Sequence, residues 1–323
     1  MTQDFDHIPE AALDWHRSGR GAVLATVVQT WGSAPRPVGS QLAIAGDGEM
    51  AGSVSGGCVE AAVIVEARDA LLEGTPRMLE FGVTDDAAFA AGLACGGRIR
   101  VMIEPVGAVL PESMLADLVA ARAQRVRIAY VVNPATQRRK LVEAAAYPAR
   151  FAADSSGFEG ETFIAIHNPP LRLVVVGAVH IAQALLVIAR LAGYDVTLVD
   201  PRRAFGTSAR FPDQQIIEEW PDEALLSLGL DARSAVVSLS HDPKIDDPAI
   251  VAALGTDVFY IGCLGSTRTH AKRLARLTAA GVSAGQLQRL HAPVGLDIGS
   301  RTPAEIAISI MAQITQSLRK PLL

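Results

Sequence analysis

Residues 173–200 read LVVVGAVHIAQALLVIARLAGYDVTLVD. The apolar run at 173–176 is short and rich in valine, so it predicts a strand buried on both faces. Gly177 breaks the run, and residues 180–192 then repeat apolar side chains at helical spacing, which predicts a helix. Residues 195–199 form a second β-rich run that closes on Asp200. Strand, tight turn, helix and strand in this order predict a parallel crossover. Further downstream, strands are expected at 235–239 and 258–261, and Thr302-Pro303-Ala304-Glu305 is a capping box that starts a helix to about residue 318. The alternation predicts an α/β fold in which residues 171–323 form a Rossmann-like parallel-sheet domain with helices on both faces. No membrane span is expected. Gly177, His180, Gln183 and Arg190 interrupt the longest apolar stretch, 173–191, whereas a spanning helix needs about 20 nearly unbroken apolar residues.

The turn at 177–182, GAVHIA, sits where such a sheet places its phosphate loop, and Asp200 follows at about 20 residues, near the spacing of a ribose-binding acid. Its glycine pattern is defective. Ala182 is a tolerated variant, but Val179 puts a side chain where backbone would have to approach a pyrophosphate. NAD(P) binding is therefore expected to be weak or absent, leaving a scaffold that has lost or changed that ligand. The rival reading is an NAD(P)-dependent oxidoreductase built on residues 171–323, with His180 or His241 as acid or base. Segments 238–242 and 262–266 follow strands, at the carboxyl ends where open sheets bind ligands; ordinary loop glycine and a solvated His-Asp pair account for them equally well.

Upstream, His167-Asn168-Pro169-Pro170 is the best boundary, because two prolines fix extended geometry just before the new apolar run. It delimits a first domain, 1–168, expected to be mixed α/β. A helix is predicted at 9–18 and strands at 22–30, 41–45, up to 54, 77–83, 98–106 and 126–132. Further helices are predicted from about 58 to 72 and near 112–122, and residues 144–160 read as loop. The chain has 323 residues, 50% hydrophobic, and carries 29 Lys and Arg against 34 Asp and Glu. A net charge of −5 offers no cationic surface for nucleic acid. The three cysteines, Cys58, Cys95 and Cys263, are too few and too dispersed for a disulfide framework or a zinc knuckle, and the acidic start MTQDFDHIPE does not suit a secretory signal. A reducing cytoplasm is expected.

The sharper chemical signals lie in the first domain. Residues 52–60, GSVSGGCVE, form a Gly/Ser loop opening onto a helix, where free N–H groups and the helix dipole favour an anion. Cys58 is expected in the first helical turn, where the same field favours thiolate. Cys95 has similar company in GLACGG, residues 92–97. Buried apolar packing is the usual fate of a cysteine, but a Gly-Gly pair beside each sulfur is unusual packing. In GSAPRPVGS, residues 32–40, two prolines stiffen a loop that carries Arg36. That guanidinium suits a phosphate or a pterin-like ring edge, or is simply a solvent-facing turn residue.

Taken together, GSAPRPVGS, DGEMAGSVSGGCVE, GLACGG, LVDPRRAF, SHDPKID, YIGCLGSTRT and APVGLDIGSRTPAEIAISI resemble the XdhC/CoxI family of accessory proteins for molybdenum hydroxylases. The matches run through both domains in the family's order. The resemblance implies a chaperone without an enzymatic step of its own. Such a protein binds molybdenum cofactor (molybdopterin), a pterin dithiolene with a phosphate tail, and protects it for sulfuration. It then inserts the cofactor into an apo molybdenum hydroxylase such as xanthine dehydrogenase. It further implies a cysteine desulfurase-type sulfur donor as partner, and a homodimer is an additional expectation. Carried over residue by residue, the cofactor contacts are Arg36, Cys58 and Cys95, with Ser53, Ser55, Gly56, Gly57, Gly96 and Gly97 around them, and Cys58 as the candidate molybdenum contact. The chain departs from the family at Val179, where the turn usually repeats glycine. Cys58, where the xanthine dehydrogenase branch often has histidine, places the chain nearer the CoxI-like branch.

Overall fold

The computed structural model describes residues 7–32, 34, 36–57, 59–82, 98–212 and 214–319. The chain divides into two units, Met1–Pro169 and Pro170–Leu323.

In the first unit, β1 (Ala22–Trp31) is the central strand, flanked by β2 (Gln41–Ala45), β3 (Met50–Gly52), β4 (Arg77–Gly82) and β5 (Arg98–Pro105) in a sheet of order β3-β2-β1-β5-β4. All four pairings are antiparallel. β1 is buried on both faces, which is why it reads as a nearly continuous apolar run. Val23, Ala25 and Val27 pack in one cluster with Val63, Ala67 and Ala70 of α2 (Glu60–Glu73). Ala22, Leu24 and Val28 face the other way, in a cluster with α1 (Ile8–Arg17) and α3 (Glu112–Ala123). That second cluster also takes Tyr130 from β6 (Ile128–Val132) and Phe163 from β9 (Thr162–His167). These strands belong to a four-stranded antiparallel sheet of order β7-β6-β9-β8, with β7 at Arg139–Glu143 and β8 at Gly157–Glu159.

The expected loop at 144–160 is a correction. It holds a 3-10 turn, Ala144–Ala146, a short helix α4, Pro148–Ala153, and β8. Phe151 of α4 is buried against Ala129, Val131 and Ile164, so one aromatic anchors a segment whose Ala, Ser and Gly content looks irregular. A second correction concerns α2, which starts at Glu60 and not near position 58, with Val59 as its N-cap.

The second unit is a six-stranded parallel sheet of order β12-β11-β10-β13-β14-β15. Its strands are β10 (Leu171–Val176), β11 (Tyr194–Val199), β12 (Ile216–Ile217), β13 (Ser234–Ser238), β14 (Tyr260–Cys263) and β15 (Leu290–His291). Leu173 and Val175 pack with Leu185 of α5 (His180–Leu191) and Ile310 of the C-terminal helix, Pro303–Arg319. Val174 and Val176 pack on the opposite face with Ala224 of α6 (Pro221–Ser227), Ile245 and Ile250 of α7 (Pro243–Leu254) and Leu277 of α8 (Thr267–Ala279). Alternate residues of one strand feed two cores, the signature of a doubly covered parallel sheet. The strand order reverses between β10 and β13, the position where open α/β sheets place ligands. A four-residue helix, α9 (Ala284–Leu287), follows α8, and the C-terminal helix is α10. Its predicted capping box is present: Glu305 accepts the Thr302 N–H at 2.9 Å, and Thr302 Oγ1 accepts from Glu305 N at 3.3 Å.

Candidate functional site

The antiparallel sheet of the first unit brings three distant segments to one end. β1, β3 and β4 run towards that end and β2 and β5 start from it, as the registers Thr26↔Gln41, Leu42↔Gly52 and Gly82↔Arg98 require. The β1–β2 loop with Arg36, the start of the β3–α2 loop after Gly52 and the paired strand ends Gly82 and Arg98 of β4 and β5 therefore lie at one end. Packing agrees with topology: Ala34, Val54, Val59, Phe81 and Ile99, which flank these segments, share a single cluster over α2. Arg98 lies 5.2 Å over the Trp31 ring at the same end. Cys58, Cys95, Gly96 and Gly97 lie outside the described residues.

Within the β3–α2 loop the chain folds around a carboxylate that is absent from the residues expected to contact the cofactor. Glu60, first residue of α2, is 7% exposed. Its Oε1 accepts Ser53 Oγ at 2.8 Å, Ser55 N at 2.9 Å and Val54 N at 3.2 Å. Its Oε2 accepts the Ser55 hydroxyl, Gly57 N at 2.9 Å and Val59 N at 3.3 Å. Ser53 Oγ in turn accepts from Gly56 N at 2.8 Å, and Ser55 Oγ from Val59 N at 3.0 Å. Gly56 and Gly57, at φ +77° and +117°, supply the left-handed backbone that bends the loop round the carboxylate. Burial alone would raise this carboxyl, but the donors from Ser55 and Ser53 outweigh it and hold Glu60 at about 2. The free amides expected to wait for an external anion are thus already committed, at Val54, Ser55, Gly57 and Val59, to the chain's own anion. The sequence signal was available: an acid in the first helical turn after serines and glycines.

Arg36 differs. Its side chain is half-buried and its Nε is buried without a hydrogen-bond partner. Downstream of it, the return of the loop is tied to β1 by Val27 N to Ser40 O at 2.9 Å and Gly39 N to Val27 O at 2.8 Å. A guanidinium nitrogen left unsatisfied in this way is suited to receive an acceptor group.

In the second unit the nucleotide turn is closed. Asp200, 1% exposed, accepts Ala178 N at 2.7 Å and Arg202 Nη2 at 2.8 Å on Oδ2, and Arg202 N and Nε, both at 2.9 Å, on Oδ1. Burial opposes its charge, yet the Arg202 and Ala178 bonds hold the carboxyl below its ordinary range. The acid that would meet a ribose is bound to its own turn. Gly177 is pressed against the next loop, since a Cβ there would lie 2.8 Å from Ser240 N, and Val179 caps α5 in extended conformation. NAD(P) has no support from this geometry. His180 and His241 are both exposed, His241 at φ +63°. At the carboxyl ends of β13 and β14 the polar groups serve one another. Ser238 and Ser240 donate to Asp246 Oδ1, and Arg273 Nη2, in a side chain 2% exposed, donates to Leu264 O at 2.9 Å and lies 3.7 Å from Asp246 Oδ2. Cys263 is buried among apolar side chains, and burial pushes its thiol up to about 12. Among the described residues no group of three or more His, Cys, Asp or Glu could hold a metal ion, and no helix is long and apolar enough to cross a membrane.

Comparison with known proteins matches this architecture. Residues 15–82 match the sequence profile described as the XdhC and CoxI family, and residues 173–314 the XdhC Rossmann domain. The molybdenum cofactor insertion chaperone PaoD of Escherichia coli is 31% identical over 314 residues, covering 97% of this chain and 89% of that protein. A Bacillus subtilis protein described as a probable xanthine dehydrogenase subunit is 28% identical, covering 93% and 94%. A Bacillus halodurans crystal structure described as a xanthine dehydrogenase superposes with a TM-score of 0.75 at 25% identity, covering 97% of this chain and 96% of that one. With identity above 30% across nearly the whole length and both profiles matched in order, the chain belongs to the XdhC and CoxI family.

Proposed function

We propose that this chain is a molybdenum cofactor insertion chaperone, a carrier without a catalytic step of its own. The observation that carries the reading is the 31% identity to PaoD over 97% of the chain. The cofactor is cargo, held where three segments of the first unit emerge at one sheet end. There Arg36, whose buried Nε has no hydrogen-bond partner in the fold, receives the phosphate or the pterin edge. Cys58 and Cys95 bring soft sulfur to molybdenum, and Gly56, Gly57, Gly96 and Gly97 keep side chains out of its way. Ser53 and Ser55 act through Glu60, because their hydroxyls are spent on it. The client is an apo molybdenum hydroxylase. A cysteine desulfurase-type protein supplies sulfur, the chain works as a homodimer, and the setting is the cytoplasm. The oxidoreductase rival is disfavoured by Asp200, whose carboxylate closes the turn a dinucleotide would use.

The test is transfer. Protein purified from cells that make molybdenum cofactor should carry pterin and molybdenum and should activate an apo-hydroxylase on mixing, while protein from cofactor-deficient cells should not. Absence of pterin, together with micromolar NAD(P) binding, would overturn the proposal in favour of the oxidoreductase.

A further inference from the structure

In the second unit, α8 starts at the carboxyl end of β14 with no acid in its first turn. Ser266 caps it, accepting Thr269 N on Oγ at 3.2 Å and His270 N on its carbonyl at 2.9 Å. Among the described residues, the N–H groups of Gly265, Ser266, Thr267 and Arg268 donate to no acceptor. In α2 and α10 the equivalent amides go to Glu60 and Glu305. Gly265, at φ +139°, lays the loop against the first turn, since a Cβ there would lie 3.0 Å from Thr269 Cγ2. The second observation is Arg273. This side chain, 2% exposed, reaches back along α8 to donate from Nη2 to Leu264 O at 2.9 Å, which sets its guanidinium at the base of the same loop. Its Nε and Nη1 are buried with no hydrogen-bond partner, and so is Nδ1 of His270, three residues earlier on the same helix face. Asp246 Oδ2, 3.7 Å from Nη2, is beyond hydrogen-bond reach, and Asp246 Oδ1 is occupied by Ser238 and Ser240. Buried N–H groups on a fixed cation are costly unless an acceptor meets them. We propose that the β14–α8 loop is a binding site for a phosphoryl group, its oxygens taken by the amides of residues 265–268 and its charge held by Arg273 and by the exposed Arg268. The site stands apart from the cofactor reading, which rests on the first unit.

Titration of the isotope-labelled full chain with inorganic phosphate, followed by amide NMR at constant ionic strength, tests the site. The resonances of residues 265–268 should shift saturably, with a dissociation constant of about 1 mM or tighter. Shifts that stay absent or unsaturated up to about 20 mM overturn the site. Arg273→Gln should weaken binding about tenfold or more, the loss expected for hydrogen bonds to a charged group. Should that variant fail to fold, Thr269→Glu carries the test, because position 269 is exposed and a glutamate there completes a capping box with Ser266. The new carboxylate should occupy the amides itself, raising the melting temperature and weakening phosphate binding about tenfold or more. A folded Thr269→Glu protein that binds phosphate as tightly as wild type overturns the site. Glycerol phosphate separates the sources: tighter binding than inorganic phosphate on the same resonances marks a phosphate monoester as the ligand, and weaker binding marks the free anion.

Discussion

Glu60 makes acid stability a readable quantity. Its carboxyl is held at about 2, below the ordinary value of 4.5, by the Ser55 and Ser53 donors against the opposing effect of burial. A depressed carboxyl stabilises the fold fully above its unfolded value, and that contribution is lost as pH falls from about 4.5 towards 2. Glu60→Gln should therefore lower the unfolding free energy at pH 7 by about 2 kcal/mol, the scale of hydrogen bonds to a charged group. It should also flatten the acid limb of a urea-melt series run from pH 7 to 2. An acid limb identical to wild type would show that Glu60 contributes nothing. Arg36→Ala should leave the melting temperature near wild type, since its Nε holds no bond in the fold. It should weaken molybdopterin binding by about 1.5–3 kcal/mol, the worth of one charge-assisted contact. Equal affinity at matched salt would make Arg36 a turn residue. The Arg36 loop could be read from its prolines, whereas Glu60 shows in sequence only as an acid in the first helical turn, and its role depends on six donors that the chain brings together only on folding.

The β10–turn–α5 unit shows both what sequence carries and where it stops. The strand and helix were legible because each is buried on a defined pattern, β10 on two faces and α5 along Leu185, Leu186 and Ala189. The two-residue strands β12 and β15 were not, since such short pairings leave no periodicity to read. Nor was the closure of the turn, because Asp200 looks the same in sequence whether it faces a ribose or Ala178. Calorimetry with NAD and NADP should find dissociation constants weaker than about 10 μM, or about −7 kcal/mol. Val179→Gly should add little while Asp200 keeps the Ala178 N–H; micromolar binding by wild type would contradict the closed turn. Gly177→Ala should destabilise the second unit by about 1–3 kcal/mol in thermal melts, because its φ is +108° and the new methyl would meet the Ser240 backbone.

Across the molecule, the proposed cofactor site draws on segments widely spaced in sequence that follow the ends of β1, β3 and β4 in one antiparallel sheet. The motifs marked them individually, but their convergence follows from strand direction and register, which no local pattern specifies. The most direct measurement compares the pterin and molybdenum content of wild-type, Cys58→Ser and Cys263→Ser proteins purified in parallel from cells that make the cofactor. Wild type should retain both, and Cys58→Ser should lose most of both at a nearly unchanged melting temperature, since serine offers a hard protonated oxygen in place of soft sulfur. Cys263→Ser should keep both while melting lower, because it buries a hydroxyl in an apolar cluster. Equal cofactor content in Cys58→Ser and wild type, or a wild-type protein that carries none, would contradict the assignment of this sheet end as the cofactor site.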